Sequence, residues 1–402
     1  PGPFDHEALV SWIAEVTGAS DVSIERRGGG ASRLGFAVDA TMADGTTRAL
    51  WLRVDSGTGP QSHTVYTLRR EAAVYRAVAE AGIRVPALVA VHPHLEAFLT
   101  ERLEGRNWFA ELTDPAEATT IATEFMNELA ALHQLDPTHL DLPELGPPTS
   151  ITAHVREELD IWAGQYRDQD EPEPVVELAL AWLRRHLPAD HDRPLVLVQG
   201  DTGPGNFMYA DGHLLAVLDW EMAHWGDLHD DLGWLCVRDL QERFTDLPDR
   251  LADYERALGR AIDLDRLRYF RVLAQARCAI GTLNGLHGRD RQGEIANHLL
   301  YSTLHVRLLA EALAEAIGVP IADPTAPLDN STDADTELTW MYDIALADLR
   351  EVIVPAIDNP YAIRRAKGLA RLLKHFRESD RLGTALAEAC LLYTSDAADD
   401  RS

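Results

Sequence analysis

Short apolar runs alternate with turn residues near the N-terminus, whereas the later chain follows a helical period. Between residues 22 and 54, the runs VSIERR, LGFAVDATM and ALWLRV are predicted strands, and an Asp-Gly turn precedes the third. The stretch 65–81 repeats apolar residues at helical spacing and places Glu71 on the apolar face. Residues 95–105 have the pattern of a strand and a connector. We therefore predict a β-rich lobe with one main helix over residues 1–105.

Helical periodicity dominates the chain beyond residue 105. The segment ATTIATEFMNELAALHQL (118–135) is amphipathic, and helices are predicted to resume after Gly233. Two short apolar runs, LVLV at 195–198 and LLAVLDW at 214–220, are predicted strands within this helical region. These patterns predict a mainly helical lobe over residues 106–320. The fold class expected for the whole is α/β in the broad sense, an α+β arrangement of two lobes.

The C-terminal part of the chain changes character twice. A polar, proline-containing stretch at 321–336 precedes two further helical segments, so residues 321–390 are predicted to be a linker and an appended helical segment. Those helices could cover a substrate site or form the surface of a homodimer. Residues 391–402 lose amphipathic periodicity and are expected to be a non-native tail.

The composition excludes several classes of partner. The chain has 37 basic and 65 acidic residues, a formal charge of −28, which disfavours nucleic acids and anionic membranes. No apolar run approaches 18 residues, so no membrane span is expected. The three cysteines are far apart, which suits a reducing, cytoplasmic location. Since Lys367 and Lys374 are the only lysines, a cation that holds phosphate earlier in the chain must be an arginine.

The stretch NFMYADGHLLAVLDW contains a strong hairpin signal, an Asp-Gly pair at 211–212. Counting back from a two-residue turn places Asn206 opposite Val217 and Asp219 opposite Pro204. On this register the side-chain oxygens of Asn206 and Asp219 converge on one ion. An amide and a carboxylate oxygen suit Mg²⁺, with substrate phosphates and water as the remaining ligands.

A loop of small residues, QGDTGPGN, precedes this hairpin. It places Asp201 five residues before Asn206, directly after a predicted strand, where the carboxylate can accept a proton from a substrate hydroxyl. A loop Asp, a following Asn and a metal-binding Asp are the parts that phosphoryl transfer of the kinase type requires. A site that only binds a structural cation would use the same residue types.

The run QGDTGPGNFMY…VLDWEMAHWGDLHDDLGWL resembles the aminoglycoside phosphotransferase family, which shares the protein-kinase-like fold. In detail it is most similar to the branch related to domains fused to acyl-CoA dehydrogenases. The resemblance implies that Asp201 is the catalytic base and that Asn206 and Asp219 bind Mg²⁺. It also implies that Asp231 holds the catalytic loop through backbone N–H groups.

Two further positions follow from the same resemblance. Glu221, two residues after the metal-binding Asp, fits the D-W-E pattern of the branch. Gln199 stands where the family commonly has His, a residue that can carry a proton whereas Gln cannot. Both are expected to support the loop and the hairpin.

The N-terminal lobe offers candidates for holding the nucleotide. Arg53 on a predicted strand would bind the phosphates of ATP and Glu71 on the helix would hold Arg53, with Arg69 or Arg70 as competing partners. The glycine-rich turn GGGASR lies where kinases cover the phosphates, although a tight turn would need glycine equally. Further nucleotide-binding candidates are Gly29, Gly30 and Ser32 in that turn, and Glu101 and Leu103 in the connector.

The sequence thus predicts an ATP- and Mg²⁺-dependent phosphotransferase that acts on a hydroxyl of a small molecule. The acceptor is open between a metabolite such as a hydroxyacyl-CoA and a cationic, aminoglycoside-like compound. The alternative is a pseudokinase that binds nucleotide and serves as a regulatory or interaction module.

Overall fold

The structure of the chain is a computed structural model. It describes residues 5–27, 33–57, 61–167, 172–190, 194–287, 295–321 and 335–399, without the side chains of 360, 361 and 384–399. The chain divides into two compact units. The first consists of Pro1–Asp168 and Pro174–Arg277, and the second of Gln169–Glu173 and Cys278–Ser402.

A five-stranded antiparallel sheet forms the N-terminal lobe of the first unit, with strand order β1-β2-β3-β5-β4. The strands are β1 (Asp21–Arg27), β2 (Leu34–Thr41), β3 (Thr47–Val54), β4 (Leu88–Val91) and β5 (Ala97–Glu101). The lobe also contains the helices α1 (His6–Thr17) and α2 (Leu68–Glu80). The first helix, α1, is an addition to the single main helix predicted for this lobe.

The two faces of this sheet have different roles. Leu50, Leu52 and Val54 of β3 are buried in a cluster with Leu9 and other apolar residues of α1. Because side chains alternate along a strand, Arg53 lies on the opposite face. Helix α2 contacts β4 and β5. Its buried residues lie at helical spacing and, as predicted, include a carboxylate, Glu71. The two charged side chains are therefore positioned by ordinary strand and helix periodicity.

The rest of the first unit is mainly helical. Its helices are α3 (Pro115–His133), α4 (Ile151–Arg167), α5 (Pro174–Arg185), α6 (Leu228–Gln241), α7 (Leu247–Leu258) and α8 (Leu264–His287), the last of which continues past Arg277. Short strands lie among them: β6 (Val196–Val198), β7 (Phe207–Ala210), β8 (His213–Val217) and β9 (His224–Gly226). Strand β6 pairs with β9, and β7 pairs with β8. The loop between β6 and β7 carries Asp201 and Asn206.

The β7–β8 hairpin has a tight turn as predicted, but its predicted register is wrong by one residue. Ala210 pairs with His213, whereas Phe207, not Asn206, lies opposite Val217. The cause is a β-bulge, in which the extra residue Leu215 shifts the later pairs. Asp219 therefore does not lie opposite Pro204, because it follows after the ladder has ended.

Helix α6 begins earlier than predicted, at Leu228 instead of after Gly233. The side chain of Asp227 caps its first turn by accepting the N–H of His229. Gly233 lies inside the helix. Glycine is required at this position because a Cβ would come within 2.7 Å of the Phe270 backbone in α8. The glycine marks a close contact between two helices rather than a helix start.

The second unit contains helices from the C-terminal part of the chain. Besides the end of α8 these are α9 (Ile295–Ile317), α10 (Thr339–Asp348) and α11 (Pro360–Asp399). Within the unit, α11 contacts both α9 and α10. The predicted linker falls largely on residues 322–334, outside the described residues. Across the described ranges, no helix combines the length and apolarity needed to cross a membrane.

Candidate active site

A buried carboxylate anchors the loop that follows β6. The two oxygens of Asp231, in the first turn of α6, accept the N–H groups of Gln199 at 2.8 Å and Gly200 at 2.9 Å. The hydroxyl of Thr202 also donates to Asp231, and a ring nitrogen of His133 lies 2.9 Å from it. Asp231 is fully buried. One end of α6 thus fixes the backbone on which Asp201 is mounted.

Gln199 links this loop to the hairpin. Its Nε2 donates to the carbonyls of Leu218 at 2.9 Å and Asp219 at 2.7 Å. Its Oε1 accepts from the Asp201 N–H at 2.8 Å and lies 3.0 Å from the hydroxyl oxygen of Thr202. An amide supplies donors and an acceptor at the same time, so Gln at this position satisfies both segments without carrying a proton.

Asp201 lies in this loop with its carboxylate largely buried. Asn206 Nδ2 donates to its Oδ2 at 2.7 Å and to its main-chain oxygen at 2.7 Å. Arg238 of α6 also contacts both carboxylate oxygens. Burial raises the pKa of Asp201 above its ordinary value, opposed chiefly by the charge of Arg238. The site therefore contains a carboxylate of increased basicity at the predicted position of the base.

Arg238 is a site residue that the sequence reasoning missed. It lies seven residues, or two helical turns, after Asp231, and residues at this spacing share one face of a helix. That spacing was the available signal, because a helix that supports the loop with Asp231 can also present Arg238 to it. Because the sequence predicts that α6 starts after Gly233, it does not place Asp231 and Arg238 on the same helix.

Asp219 forms the second acidic position of the site. It has φ of 59°, a left-handed conformation that costs a non-glycine residue energy and is often found at functional sites. Its Oδ1 accepts from Arg53 Nη1 at 2.9 Å. Its N–H donates to the hydroxyl of Tyr75 at 3.3 Å. The β-rich lobe and the hairpin are therefore joined directly at this carboxylate.

Arg53 lies at the centre of a group of carboxylates. Its Nη1 is 2.6 Å from Glu71 Oε1, and its Nη2 is 3.5 Å from Glu221 Oε2. Burial, opposed mainly by Arg53, raises the pKa of Glu71 to about 8. The two competing arginines are engaged elsewhere, since Arg69 pairs with Glu96 and Arg70 donates to the carbonyl of Ala223. The structure thus brings the predicted pair together.

A second buried arginine adjoins the glycine-rich turn. Arg33 pairs with Asp55 at 2.8 Å, and its Nε lies 3.9 Å from Glu221. The guanidinium also donates to the carbonyl of Tyr66 at 2.5 Å. Glu221 is therefore close to two arginines of the β-rich lobe. The predicted phosphate contacts at Gly29, Gly30 and Ser32 lie outside the described residues.

The connector residues lie apart from these ion pairs. Glu101 directs its side chain to Arg48 at 3.1 Å, and its N–H donates to the carbonyl of Ala87. The Leu103 N–H makes no hydrogen bond within the described residues. The proposed nucleotide contacts of Glu101 and Leu103 would use the backbone, and they stay a prediction.

The residues predicted to bind Mg²⁺ present suitable atoms. Asn206 uses its Nδ2 to bind Asp201, so the amide oxygen Oδ1 is the atom that could bind a metal ion. Asp219 uses Oδ1 for Arg53, and its side chain is about a third exposed. An amide and a carboxylate oxygen are hard ligands that Mg²⁺ accepts when phosphates and water supply the rest. Among the described residues, no group of three or more His, Cys, Asp or Glu is placed to hold a metal ion.

Asp227, which caps α6, makes the stability of this helix sensitive to acid. Burial alone would raise the pKa of Asp227, but His229 and Arg266 outweigh it and hold that pKa at about 2. Because this pKa lies below that of the unfolded chain, the stabilisation is complete above about pH 4 and is lost as the pH falls toward 2. We expect Asp227→Asn to lower the free energy of unfolding by about 2 kcal/mol near pH 6.

Urea unfolding of wild type and Asp227→Asn at pH 6, 4 and 3 checks this expectation. The difference between the two proteins should shrink as the pH falls. Asp5→Asn is the control, because Asp5 is an exposed residue that caps α1 and Asn caps equally well. A difference that stays constant from pH 6 to pH 3 would contradict the assignment.

The sequence pattern of the phosphotransferase enzyme family (APH) matches residues 23–270, more than half of the chain. The chain belongs to this family. The resemblance inferred from the loop and hairpin motifs is therefore confirmed. The match covers both lobes of the first unit and every predicted site residue.

Curated relatives of this phosphotransferase family member include acyl-CoA dehydrogenase proteins. Acyl-CoA dehydrogenase family member 11 of Rattus norvegicus is 28% identical over 189 residues, which are 44% of this chain and 23% of the relative. The chain thus matches less than a quarter of the length of that relative. The predicted similarity to the branch associated with acyl-CoA dehydrogenases is confirmed.

Solved structures of the family share the fold. A protein from Ralstonia eutropha JMP134 assigned to the aminoglycoside phosphotransferases has a TM-score of 0.62 and 22% identity, covering 79% of this chain and 100% of its own. A thermostable mutant of aminoglycoside phosphotransferase APH(4)-Ia, in a ternary complex with ADP and hygromycin B, has a TM-score of 0.52 and 18% identity, covering 75% and 98%. The predicted kinase-like fold, with a β-rich and a mainly helical lobe, is confirmed.

Proposed function

We propose that the protein transfers the γ-phosphoryl group of ATP to a hydroxyl of a small molecule. The observation that carries this proposal is the position of Asp201, which is held in a loop between Asn206 and the Asp231 anchor. The ion pairs of Arg53 with Glu71 and Asp219 support it. Membership of a phosphotransferase family and the ADP bound to one protein of the same fold agree with it.

The reaction assigns one task to each residue. Asp201 accepts the proton of the acceptor hydroxyl while the hydroxyl oxygen forms a bond to the γ-phosphorus. The bond from that phosphorus to the β–γ bridging oxygen breaks, and ADP leaves with the electron pair. Asn206 and Asp219 would hold Mg²⁺, which supplies positive charge to the phosphate oxygens when bound. Arg53 would bind the phosphates from the β-rich lobe, held in place by Glu71.

The acceptor we favour is a metabolite of the hydroxyacyl-CoA type, because the chain is similar to proteins of the acyl-CoA dehydrogenase family. Such an acceptor is anionic and needs a basic patch. Arg184 and Arg185 at the end of α5, in the same unit as Asp201, are the candidate. A cationic aminoglycoside-like acceptor is the second candidate, which the formal charge of −28 favours.

A thermal-shift experiment followed by an acceptor screen tests the proposed function. ATP with Mg²⁺ should raise the melting temperature, and one of two panels, hydroxyacyl-CoAs or aminoglycosides, should yield a phosphorylated product by mass spectrometry. Nucleotide binding without turnover across both panels would favour the pseudokinase alternative. A missing ATP shift would favour a structural cation site. We place the enzyme in the cytoplasm as part of this proposal.

Loss of Arg53 should weaken nucleotide binding strongly. In Arg53→Ala the buried Glu71 and the adjacent Asp219 lose their shared cation, and the phosphates lose a charged donor. A charged hydrogen bond contributes about 1.5–3 kcal/mol, so we expect the KM for ATP to rise about 10–100-fold. Arg76→Ala is the control, because Arg76 is an exposed arginine on α2. Similar KM values in the two variants would contradict the role of Arg53.

A further inference from the structure

The carboxylate of Asp201 is held by a guanidinium from a different element. Arg238 Nε donates to Asp201 Oδ1 at 2.8 Å, and Arg238 Nη2 donates to Oδ2. Two parallel bonds of this kind fix the plane of a carboxylate as well as its position. The third donor, Asn206 Nδ2, reaches Oδ2 at 2.7 Å. The side chain of Asp201 therefore cannot rotate without breaking three charged hydrogen bonds.

The distribution of these donors leaves one acceptor position. A carboxylate has about four lone-pair sites, two on each oxygen. Oδ2 receives both Arg238 Nη2 and Asn206 Nδ2, whereas Oδ1 receives only Arg238 Nε among the residues that the structure describes. The remaining lone pair is thus on Oδ1. The arrangement selects Oδ1 as the oxygen that can receive a proton.

The catalytic loop is shaped to admit Arg238. Gly203, two residues after Asp201, has φ of 143°, a conformation that L side chains rarely adopt. A Cβ at Gly203 would lie 2.5 Å from Arg238 Cβ and 2.9 Å from its Cγ. A Cβ there would force either the loop or the arginine to shift. The glycine of the loop and the arginine of α6 therefore form one arrangement.

The helix that carries Arg238 is itself fixed against the loop. Asp231, two turns earlier in α6, accepts the N–H groups of Gln199 and Gly200. Asp230 pairs with the buried Arg277 of α8 at 2.6 Å. The helix therefore holds the backbone of the loop at one point and the side chain of Asp201 at another.

We propose that Arg238 is a positioning residue that presents Asp201 Oδ1 to the acceptor hydroxyl. This role rests on the proposed function. Arg238 orients the base and does not bind the nucleotide, so its loss should lower kcat and leave the KM for ATP unchanged. The expected decrease in kcat is about tenfold or more, from the loss of charged hydrogen bonds.

ATP hydrolysis with water as the acceptor tests the proposal, measured on the full chain with Mg²⁺. Arg238→Ala should lower kcat at an unchanged KM for ATP, because it removes the guanidinium from Asp201. Gly203→Ala should also lower kcat, because the added Cβ is incompatible with the present positions of the loop and Arg238. Arg238→Lys should restore part of the rate, since an ammonium can bond one oxygen but cannot form the paired contact. Arg243→Ala is the control, because Arg243 is exposed just beyond the end of α6.

The outcomes separate this proposal from the proposed function. Equal kcat in wild type and Arg238→Ala would overturn the positioning role and leave the kinase reaction intact. A higher kcat in Arg238→Ala would also overturn it, because the pair would then inhibit the base. If wild type consumes no ATP with water or with any acceptor, the proposed function fails and this role fails with it. Thermal unfolding shows whether Arg238→Ala is folded. If it is not, the kcat and the KM for ATP of Arg238→Lys test the positioning role instead.

Discussion

Asp201→Asn should reduce phosphoryl transfer about 10²–10⁴-fold, the usual contribution of a general base. The amide has nearly the shape of the carboxylate, but its oxygen is a much weaker base for the proton of the acceptor. It also cannot accept both donors of Arg238, since one of its two polar atoms is itself a donor. ADP release in a coupled assay measures the rate, and the KM for ATP should change little.

Asp211→Asn is the matched control for this substitution. Asp211 lies in the turn of the β7–β8 hairpin with φ of 51°, a conformation that Asn adopts as readily as Asp. It is exposed, so the same chemical change there should leave the rate and the stability unchanged. Wild-type turnover by Asp201→Asn would show that this carboxylate is not the base.

Asp231→Ala should destabilise the protein by at least about 3 kcal/mol. The substitution leaves the buried N–H groups of Gln199 and Gly200 and a ring nitrogen of His133 without their acceptor. A buried donor without a partner costs about 1–3 kcal/mol, so three of them account for the expected loss. Urea unfolding followed by circular dichroism gives the free energy.

Asp249→Ala is the control for this loss of a carboxylate. Asp249 is exposed near the start of α7, so its removal should change stability by about 0.5 kcal/mol or less. If the free energy of unfolding of Asp231→Ala lies within ~1 kcal/mol of the wild-type value, the carboxylate does not anchor the loop. Activity should fall in parallel with stability, because the loop positions Asp201.

The sequence was sufficient for features that depend on local periodicity. The strands around Arg53, the buried face of α2 with Glu71 and the Asp-Gly hairpin all follow from alternation, helical spacing and turn chemistry. The separation of Asp201 and Asn206 by five positions between two predicted strands also places both residues in one loop. Each of these features is determined by residues within a few positions of one another.

Features that depend on tertiary contacts were predicted wrongly or not at all. The bulge at Leu215 shifts the hairpin register, and no turn residue within the strand marks it. The linear pattern places a helix start after Gly233, because the close contact of Gly233 with α8 is not visible in the sequence. Arg238 was missed for a related reason, since its partner Asp201 lies 37 positions away in sequence.

Gln199 illustrates a departure that the structure explains. The family commonly has His at this position, and Gln cannot carry a proton. In the structure the amide of Gln199 bonds the hairpin on one side and the catalytic loop on the other. The position therefore needs simultaneous donors and acceptors, and Gln supplies both.

The arginine at the centre of the site has a practical consequence for chemical proteomics. Nucleotide analogues that acylate a lysine amine next to the phosphates are a general way to label kinases. In this chain no lysine precedes Lys367, and Arg53 occupies the position from which the phosphates would be held. A guanidinium is not acylated under such conditions because it stays protonated. Such a reagent would leave Arg53 unlabelled even when the analogue itself is bound.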